Sequence, residues 1–193
     1  MQRLVIITVG KTHSGKTTFA RALEQDLENS LVMDQDNHAE FINTYYNNLQ
    51  PKLGLNTLKH AISRLIVDYA KENTDFHLII CNSNRTRKGR QFLLDELFPP
   101  SEFIRVLVHF DIPDDVLRSR VMDSQRSTNN FKSASNFEEV LDRQLADSLK
   151  AEVIDPVEGE ADHLFVVKDN KEVPSVIQRI VQISKSKRVL DRK

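Results

Sequence analysis

Residues 4–17 read Leu-Val-Ile-Ile-Thr-Val-Gly-Lys-Thr-His-Ser-Gly-Lys-Thr. The apolar, β-branched first half is typical of a strand that is buried on both faces, as strands of parallel sheets are. The second half satisfies the pattern G-x-x-x-x-G-K-[ST] through Gly10, Gly15, Lys16 and Thr17. Because two of only five glycines in the chain occupy these positions, composition does not explain the match.

The phosphate-binding loop (residues 10–17) predicts a definite chemistry. Backbone N–H groups in such a turn point at a phosphate, and the positive end of the following helix adds to the attraction. We expect Lys16 to bridge the β- and γ-phosphates of a nucleotide and the Thr17 hydroxyl to bind Mg²⁺. The side chains of Lys11 and His13 stand at free positions of the pattern, and we expect them to be exposed. The alternative is a plain strand-to-helix turn. The residues predicted to contact the nucleotide are Gly10, His13, Ser14, Gly15, Lys16, Thr17 and Thr18.

The composition predicts an ordinary globular protein with a single domain, residues 1–193. Apolar residues make up 39% of the chain and charged residues 28%, and the formal net charge is −1. This balance excludes a disordered acidic or basic tail protein, and it argues against a protein whose whole surface coats nucleic acid while leaving room for a local basic patch. The sequence has no run of the roughly 18 apolar residues that a membrane helix needs. Since Cys81 is the only cysteine, no internal disulfide is expected and a reducing cytoplasm is the predicted location.

Apolar runs alternate with helical periodicity along most of the chain. Further strands are predicted at residues 30–33, 76–81, 103–110 and 163–167, with helical stripes between them. Strands that alternate with helices form right-handed crossovers and a parallel sheet covered on both faces, which is an α/β fold. Ser135 and Glu138 have the spacing of a capping box, so a helix is expected to begin close to residue 136.

Two polar segments, residues 47–56 and 123–136, lack periodicity. Stretches of this length in a compact domain are often lids or binding loops, and the alternative is a surface loop. We expect residues 123–136, here the lid, to close over a nucleotide and exclude water. Arg120 and Arg126 would then bring positive charge to the transferring oxygens, whereas Arg118 stays on the surface.

Two acids, Asp34 and Asp36, stand at the carboxyl end of the second predicted strand, where side chains of a parallel sheet face the ligand crevice. A kinase needs one carboxylate to hold and deprotonate the acceptor hydroxyl, and a second often orients a metal-bound water. We expect Asp36 to be the base and Asp34 to act on the metal side. The alternative for either acid is an N-cap of the following helix.

The third predicted strand ends in amides, Asn82-Ser-Asn84, where an ATPase usually places an acid. A water-activating hydrolase is therefore disfavoured. Asp111, after the fourth strand, is the other candidate for that acid, although a helix cap before Pro113 is the preferred interpretation. A basic cluster follows the third strand and would either hold an acceptor phosphate at the crevice or begin a solvated helix. Its members are Arg85, Arg87, Lys88 and Arg90.

These blocks resemble the P-loop kinases, in the branch that contains 5′-polynucleotide kinases, zeta-toxin-like kinases and small-molecule kinases such as adenylylsulfate, gluconate and shikimate kinases. The similarity lies in residues 10–18, 33–38 and 79–90, with Arg120 and Arg126 as a looser fourth block. It extends from residue 1 to about residue 150. The resemblance implies a three-layer P-loop NTPase fold with five parallel strands in the order 2-3-1-4-5. It also implies ATP with Mg²⁺ and transfer of the γ-phosphoryl group to a hydroxyl.

The chain departs from the polynucleotide kinase pattern in two places. Asn82 replaces an acid, and His38 and Ala39 stand where an arginine usually follows the catalytic acid. The favoured acceptor is therefore a small hydroxyl-bearing molecule, with a nucleic-acid 5′ end as the less favoured choice. The alternatives are a nucleotide-dependent regulatory or ATP-hydrolysing protein without an acceptor, and a nucleic-acid-binding module that uses the basic cluster.

Overall fold

The computed structural model describes residues 2–51, 54, 56–131 and 134–186. Its strands are β1 (Arg3–Val9), β2 (Ser30–Asp34), β3 (His77–Cys81), β4 (Phe103–Phe110) and β5 (His163–Val167). Its helices are α1 (Lys16–Asp26), α2 (Gln35–Tyr45), α3 (Thr57–Asn73), α4 (Arg87–Gln91), α5 (Asp114–Met122), α6 (Phe137–Asp147) and α7 (Val173–Ser186). A π-helical stretch, Phe92–Leu97, continues α4, and short 3₁₀ turns lie at Asn47–Leu49 and Asn170–Glu172.

The five strands form one parallel sheet in the order β2-β3-β1-β4-β5. Each strand predicted from the sequence matches an observed strand to within one residue at either end. The α/β fold predicted from the sequence and the strand order 2-3-1-4-5 implied by the resemblance are both confirmed. Helices connect the strands because parallel neighbours need long crossovers.

The start of α6 shows how local capping sets a helix boundary. Asn136 is the N-cap, and its side chain accepts a hydrogen bond from the Glu139 amide at 2.9 Å. The predicted start near residue 136 is confirmed, but the capping pair is Asn136 with Glu139, not Ser135 with Glu138. The Ser135 amide instead donates to the Glu139 carboxylate at 2.8 Å.

Apolar layers cover both faces of the sheet. On one face, α1, α5, α6 and α7 pack residues such as Leu117 and Ile180 against Ile6 of β1. On the other face, α3 and the π-helical stretch pack residues such as Val67 against Val5. Successive β1 residues therefore alternate between two cores, which is why this strand is apolar throughout. Within the described ranges, every helix is too short or too polar to span a membrane.

Parallel pairing brings the carboxyl ends of β1, β2 and β3 to one edge of the sheet. Asp34 aligns with Cys81 across β2 and β3, and Ile7 aligns with Ile80 across β1 and β3. The amide that opens the phosphate-binding loop, at Gly10, donates to the carbonyl oxygen just beyond β3 at 3.0 Å. The loop and the two predicted acids consequently meet at this edge.

Candidate active site

The phosphate-binding loop has the tight backbone that its glycines predict. Gly15 adopts a φ of 100° immediately before α1, and His13 has a φ of 57°. A Cβ added to Gly10 would lie 2.9 Å from Ser14 Oγ and 3.1 Å from Phe110 Cβ, so a larger residue would force the loop to shift. Residues with positive φ turn neighbouring amides toward a common point and form an anion-binding concavity. The loop geometry therefore fits a phosphate.

The Lys16 ammonium lies against the loop that precedes it. Its Nζ donates to the Lys11 carbonyl oxygen at 2.5 Å and to Ser14 Oγ at 3.2 Å. Burial lowers the pKa of Lys16 from 10.5 to about 8, although Asp36 acts in the opposite direction. A bound phosphate would raise this pKa again, because a nearby anion favours the charged form of a lysine.

The Thr17 hydroxyl lies beside the end of β3. Its Oγ1 is 3.7 Å from Sγ of Cys81, a buried thiol whose pKa is raised to about 11 by burial. The thiol is therefore neutral near pH 7 and is a weak hydrogen-bond partner. Because the hydroxyl oxygen of Thr17 has two lone pairs, at least one of them stays available to a cation.

Two loop side chains that the sequence predicts to be exposed are instead engaged by other elements. The Lys11 ammonium lies 2.8 Å from the Asp114 carboxylate of α5. In the His13 ring, Nδ1 is 3.0 Å from Thr12 Oγ1 and Nε2 is 2.8 Å from Ser124 Oγ in the lid. Burial lowers the pKa of His13 to about 4, so the ring is neutral. The prediction was wrong because the partners are 103 and 111 residues away in sequence.

Asp34 and Asp36 both face one cleft and have different local roles. Asp34 is 5% exposed, and it caps α2 by accepting a hydrogen bond from the Asp36 amide at 2.9 Å. Burial raises the pKa of Asp34, against the effect of that hydrogen bond. The Asp36 side chain, in the first turn of α2, is 51% exposed. The capping alternative is confirmed for Asp34, while the Asp36 carboxylate takes no part in the cap.

Arg120 and Arg126 reach the cleft from α5 and from the lid. Arg120 Nη1 donates to the His13 carbonyl oxygen at 3.1 Å. Arg126 Nη2 lies 3.7 Å from Asp36 Oδ2, and its guanidinium carbon is 5.1 Å from the centre of the Phe137 ring. Arg120 thus contacts the loop, Arg126 lies beside Asp36, and both arginines line the cleft.

Polar contacts hold the lid onto α2. Asn43 Nδ2 donates to the carbonyl oxygens of Asn129 and Phe131 at 2.5 and 3.0 Å. Asn129 Nδ2 in turn donates to Thr44 Oγ1 at 2.9 Å. Positions 132 and 133 of the lid lie outside the described residues. Sequence reasoning missed this clasp, because asparagines in a segment without periodicity carry no sign of their partners.

A cleft of about 460 Å³ joins these groups. Its predicted lining residues are His13, Gly15, Lys16, Thr17, Thr18, Asp34, Asp36, Arg120 and Arg126. Of the other two predicted residues, Ser14 is buried and Gly10 packs on Phe110. Further lining comes from Asn130, Phe131, Phe137 and Gln144, which the sequence did not single out. The Gln144 carboxamide oxygen accepts a hydrogen bond from the Thr12 amide at 2.6 Å, so α6 also supports the loop.

A family model described as an AAA domain matches residues 5–148, which is most of the chain. The chain belongs to this AAA domain family. A comparison with curated proteins finds no match.

Solved kinase structures share the fold of this AAA domain protein. A protein of Chloroflexus aurantiacus j-10-fl, provisionally described as a kinase, gives a TM-score of 0.65 at 16% identity, with 94% of this chain and 98% of that chain covered. A sugar kinase from Janibacter sp. HTCC2649 gives 0.58 at 21% identity, with 94% of each chain covered. The APS kinase of Mycobacterium tuberculosis, solved with AMPPNP and APS, gives 0.58 at 15% identity, covering 95% and 98%. The fold is that of the P-loop kinases, as the resemblance implied.

The basic cluster of this AAA domain protein is divided and does not line the cleft. Arg90 is fully buried, and its Nε lies 2.5 Å from Glu160 Oε1. Arg85 Nη2 donates to Ser148 Oγ at 2.5 Å beside a separate small cavity. The other two members are exposed on α4. The suggestion that the cluster holds an acceptor phosphate at the crevice is therefore wrong, and only the exposed pair fits a solvated helix start.

Asp111 follows strand β4 and Asn82 follows strand β3, and the structure shows the contacts of both side chains. Asp111 does not cap α5, because Pro113 is the residue before that helix and the Asp111 carboxylate instead lies 3.9 Å from Lys168. Asp111 is also outside the cleft lining. Asn82 does line the cleft, and its amide donates to Gln35 Oε1 at 2.8 Å.

The cleft offers oxygen ligands that fit Mg²⁺. Among the described residues, no group of three or more His, Cys, Asp or Glu side chains is arranged to hold a metal ion. Mg²⁺ needs fewer protein ligands, since it keeps several waters and binds through one or two carboxylates and substrate phosphates. Thr17 and Asp34 line the same cleft as the phosphate-binding loop. This donor set therefore fits Mg²⁺ that arrives with a nucleotide.

Proposed function

We propose that this protein is an ATP-dependent kinase that transfers the γ-phosphoryl group to a hydroxyl of a small molecule. The observation that carries the proposal is the meeting of the phosphate-binding loop, Asp36 and Arg126 in one cleft. Phosphoryl transfer to an alcohol requires a held triphosphate, an acid beside the acceptor and positive charge near the transferring oxygens. Structural similarity to kinases supports the reaction class and leaves the acceptor open.

On the nucleotide side, the loop amides and Lys16 hold the β- and γ-phosphates of ATP. Lys16 exchanges its contact with the Lys11 carbonyl for a phosphate oxygen. Thr17 and Asp34 would hold Mg²⁺, which would supply positive charge to the phosphate oxygens. Arg120, already fixed on the loop backbone, adds charge from the α5 side.

On the acceptor side, the hydroxyl oxygen attacks the γ-phosphorus, and the bond to the β–γ bridging oxygen breaks. ADP leaves with that oxygen, and the acceptor becomes a phosphate monoester. Asp36 takes the hydroxyl proton, because its carboxylate faces the cleft and is not used in capping. Asp34 is buried and caps the start of α2, so its carboxylate is fixed in place, which suits a role in binding Mg²⁺. Arg126 balances the charge of Asp36 from the lid.

A water-activating hydrolase has less support in this cleft. Strand β3 ends at Cys81 and Asn82 follows it, and neither residue supplies a carboxylate. The remaining strand-end acid, Asp111, lies outside the cleft lining and near Lys168. The lid is clasped to α2 above the loop, which favours transfer to a bound acceptor over transfer to water.

The substitution Asp36→Asn tests the assignment of the base. We expect transfer from labelled ATP to a panel of hydroxyl-bearing metabolites and oligonucleotides to fall by roughly a hundredfold to ten-thousandfold, as general-base loss does. ATP affinity measured by calorimetry should change little. Asp75→Asn, an exposed acid before β3 at the opposite edge of the sheet, is the matched control. Tight ATP binding by the native chain without transfer to any acceptor would remove the kinase proposal.

A further inference from the structure

Among the residues that the structure describes, the cleft has no spare cation on its acceptor side. In the part of the chain that the structure describes, three cations line the cleft, Lys16, Arg120 and Arg126. The first two are fixed on the phosphate-binding loop by contacts with its backbone carbonyls. Arg126 lies 3.7 Å from Asp36. The transferring phosphoryl group needs these charges itself, so none remains for a second anionic group on the acceptor.

The basic side chain closest in sequence to the two acids, His38, does not supply a positive charge to the cleft. His38 Nδ1 lies 2.7 Å from Ser63 Oγ on α3, and burial lowers the pKa of His38, which keeps the ring neutral. Ser63 Oγ in turn donates to the Lys59 carbonyl oxygen at 2.8 Å, so the ring is held between α2 and α3. The arginines of the basic cluster lie outside the cleft lining. Among the described residues, an anionic acceptor would therefore meet Asp34 and Asp36 with no cation beyond Arg126 to compensate.

The lid places an unpartnered hydrogen-bond acceptor in the cleft. Asn130 lines the cleft, and its Oδ1 is buried with no hydrogen-bond partner among the described residues. The chain on both sides of Asn130 is fixed, because the carbonyl oxygens of Asn129 and Phe131 both accept from Asn43. A buried polar atom is normally paired, and leaving it unpaired destabilises the structure. A ligand with an O–H or N–H donor would satisfy this oxygen, whereas an oxyanion would be repelled by it.

We infer that the acceptor is an uncharged polyol of about the size of a monosaccharide. One of its hydroxyls, other than the one that is phosphorylated, donates to Asn130 Oδ1. The inference rests on the proposed function and adds the class of acceptor to it. The cleft of about 460 Å³ also has to hold the triphosphate tail, which limits the size of its second occupant. A hydroxyl-rich molecule supplies the missing donor without bringing negative charge to the two acids.

Calorimetry on the full chain loaded with Mg²⁺ and AMPPNP tests the class of acceptor. The probes are matched sets that differ mainly in charge: glucose, glucosamine, gluconate and glucose 6-phosphate, and myo-inositol with myo-inositol 1-phosphate. We expect each uncharged probe to bind at least roughly tenfold more tightly than its anionic match, because like charges across a binding site are costly.

Substitutions at Asn130 test the contact itself. Asn130→Leu removes the acceptor oxygen at similar volume and should weaken binding of the uncharged probes by roughly tenfold, with AMPPNP affinity unchanged. Asn130→Asp keeps an oxygen at this position and should bind them better than Asn130→Leu does. Asn73→Leu, an exposed asparagine at the end of α3, is the matched control and should have no effect.

The possible outcomes of these experiments distinguish the class of acceptor, the role of Asn130 and the proposed function. Tighter binding of an anionic probe, a preference for glucosamine over glucose, or no binding of any uncharged probe at millimolar concentration would overturn the inference. All three results leave AMPPNP binding and the kinase proposal standing. Equal binding by Asn130→Leu and the native chain would overturn the role of Asn130. A native chain that fails to bind AMPPNP would overturn the proposed function and the inference with it.

Discussion

The cleft has two halves that are built in different ways, one that we propose binds the nucleotide and one that we propose binds the acceptor. The nucleotide half is made mostly from the backbone of one continuous loop, where Gly10 and Gly15 allow the turn and Lys16 folds back onto it. The acceptor half is made from side chains of α2 and the lid, such as Asp36 and Asn130, and depends on contacts between distant elements. Nucleotide binding should therefore respond mainly to changes in the loop and in the side chains that contact it, such as Arg120, and acceptor binding should respond to changes in how the lid meets α2.

The largest effect is expected at the centre of the nucleotide half. Lys16→Ala removes the ammonium that pairs with the phosphates, at a cost of roughly 3 kcal/mol, or about a hundredfold in ATP affinity. Isothermal titration calorimetry with ATP measures it. Lys185→Ala, on an exposed part of α7, is the matched control. Unchanged ATP uptake by Lys16→Ala would mean that the loop does not bind the triphosphate, and the distinction between the two halves would fail.

The pH dependence of ATP binding probes the same lysine. The pKa of Lys16 is about 8 without ligand, and bound phosphate raises it, so the complex holds more protons than the free protein above that pH. ATP affinity should be flat between pH 7 and about 8, and above about 8 it should fall by up to roughly tenfold per pH unit. Lys16→Arg keeps its charge throughout and should abolish the slope. A slope that persists in Lys16→Arg would place the titrating group elsewhere.

Local sequence carried enough information for the nucleotide half. A buried strand, two glycines, a lysine and a threonine at fixed spacing identify the loop from local sequence, although distant elements such as α5 and α6 also contact it. The strand ends are similarly local, which is why Asp34 and Asp36 were predicted to face the crevice and do line the cleft. The sequence did not show which of the two acids caps α2, because capping by Asp34 depends on how closely α2 follows β2.

Predictions failed where a residue's partner is distant in sequence. Arg90 belongs to a basic run that looks solvated, and its burial follows from Glu160, 70 residues away. His13 stands at a free position of the loop pattern and contacts Ser124 of the lid, 111 residues away. Asn130 has no local pattern around it, and its exposure to the cleft follows from the clasp between its neighbours and Asn43. Charge and polarity identify such residues as notable but do not specify which element they contact.

A matched pair on α5 tests where the nucleotide half ends. Arg120 donates to the loop backbone, whereas Arg118, two residues earlier, pairs with Asp142 on the surface at 3.0 Å, as the sequence predicts. Arg120→Ala should weaken ATP binding by roughly tenfold and ADP binding less, because its charge acts near the γ-phosphate. Arg118→Ala removes an exposed ion pair and should change neither, since such pairs contribute about 0–1 kcal/mol to stability. Equal losses of ATP affinity in both variants would show that the effect comes from a general disturbance of α5, and not from the contact between Arg120 and the loop.

The smallest effect is expected at the clasp between the lid and α2. Asn43→Ala removes two hydrogen bonds to the lid backbone, with a net loss of roughly 1 kcal/mol, or about fivefold in the closing equilibrium. Hydrogen exchange of the lid amides should accelerate by that factor, while ATP affinity stays close to that of the native chain. Asn37→Ala, an exposed position on the same helix, should leave the lid unchanged. If ATP affinity fell together with lid protection, closure of the lid would be part of nucleotide binding, and the two halves of the cleft would have to be treated as one coupled site.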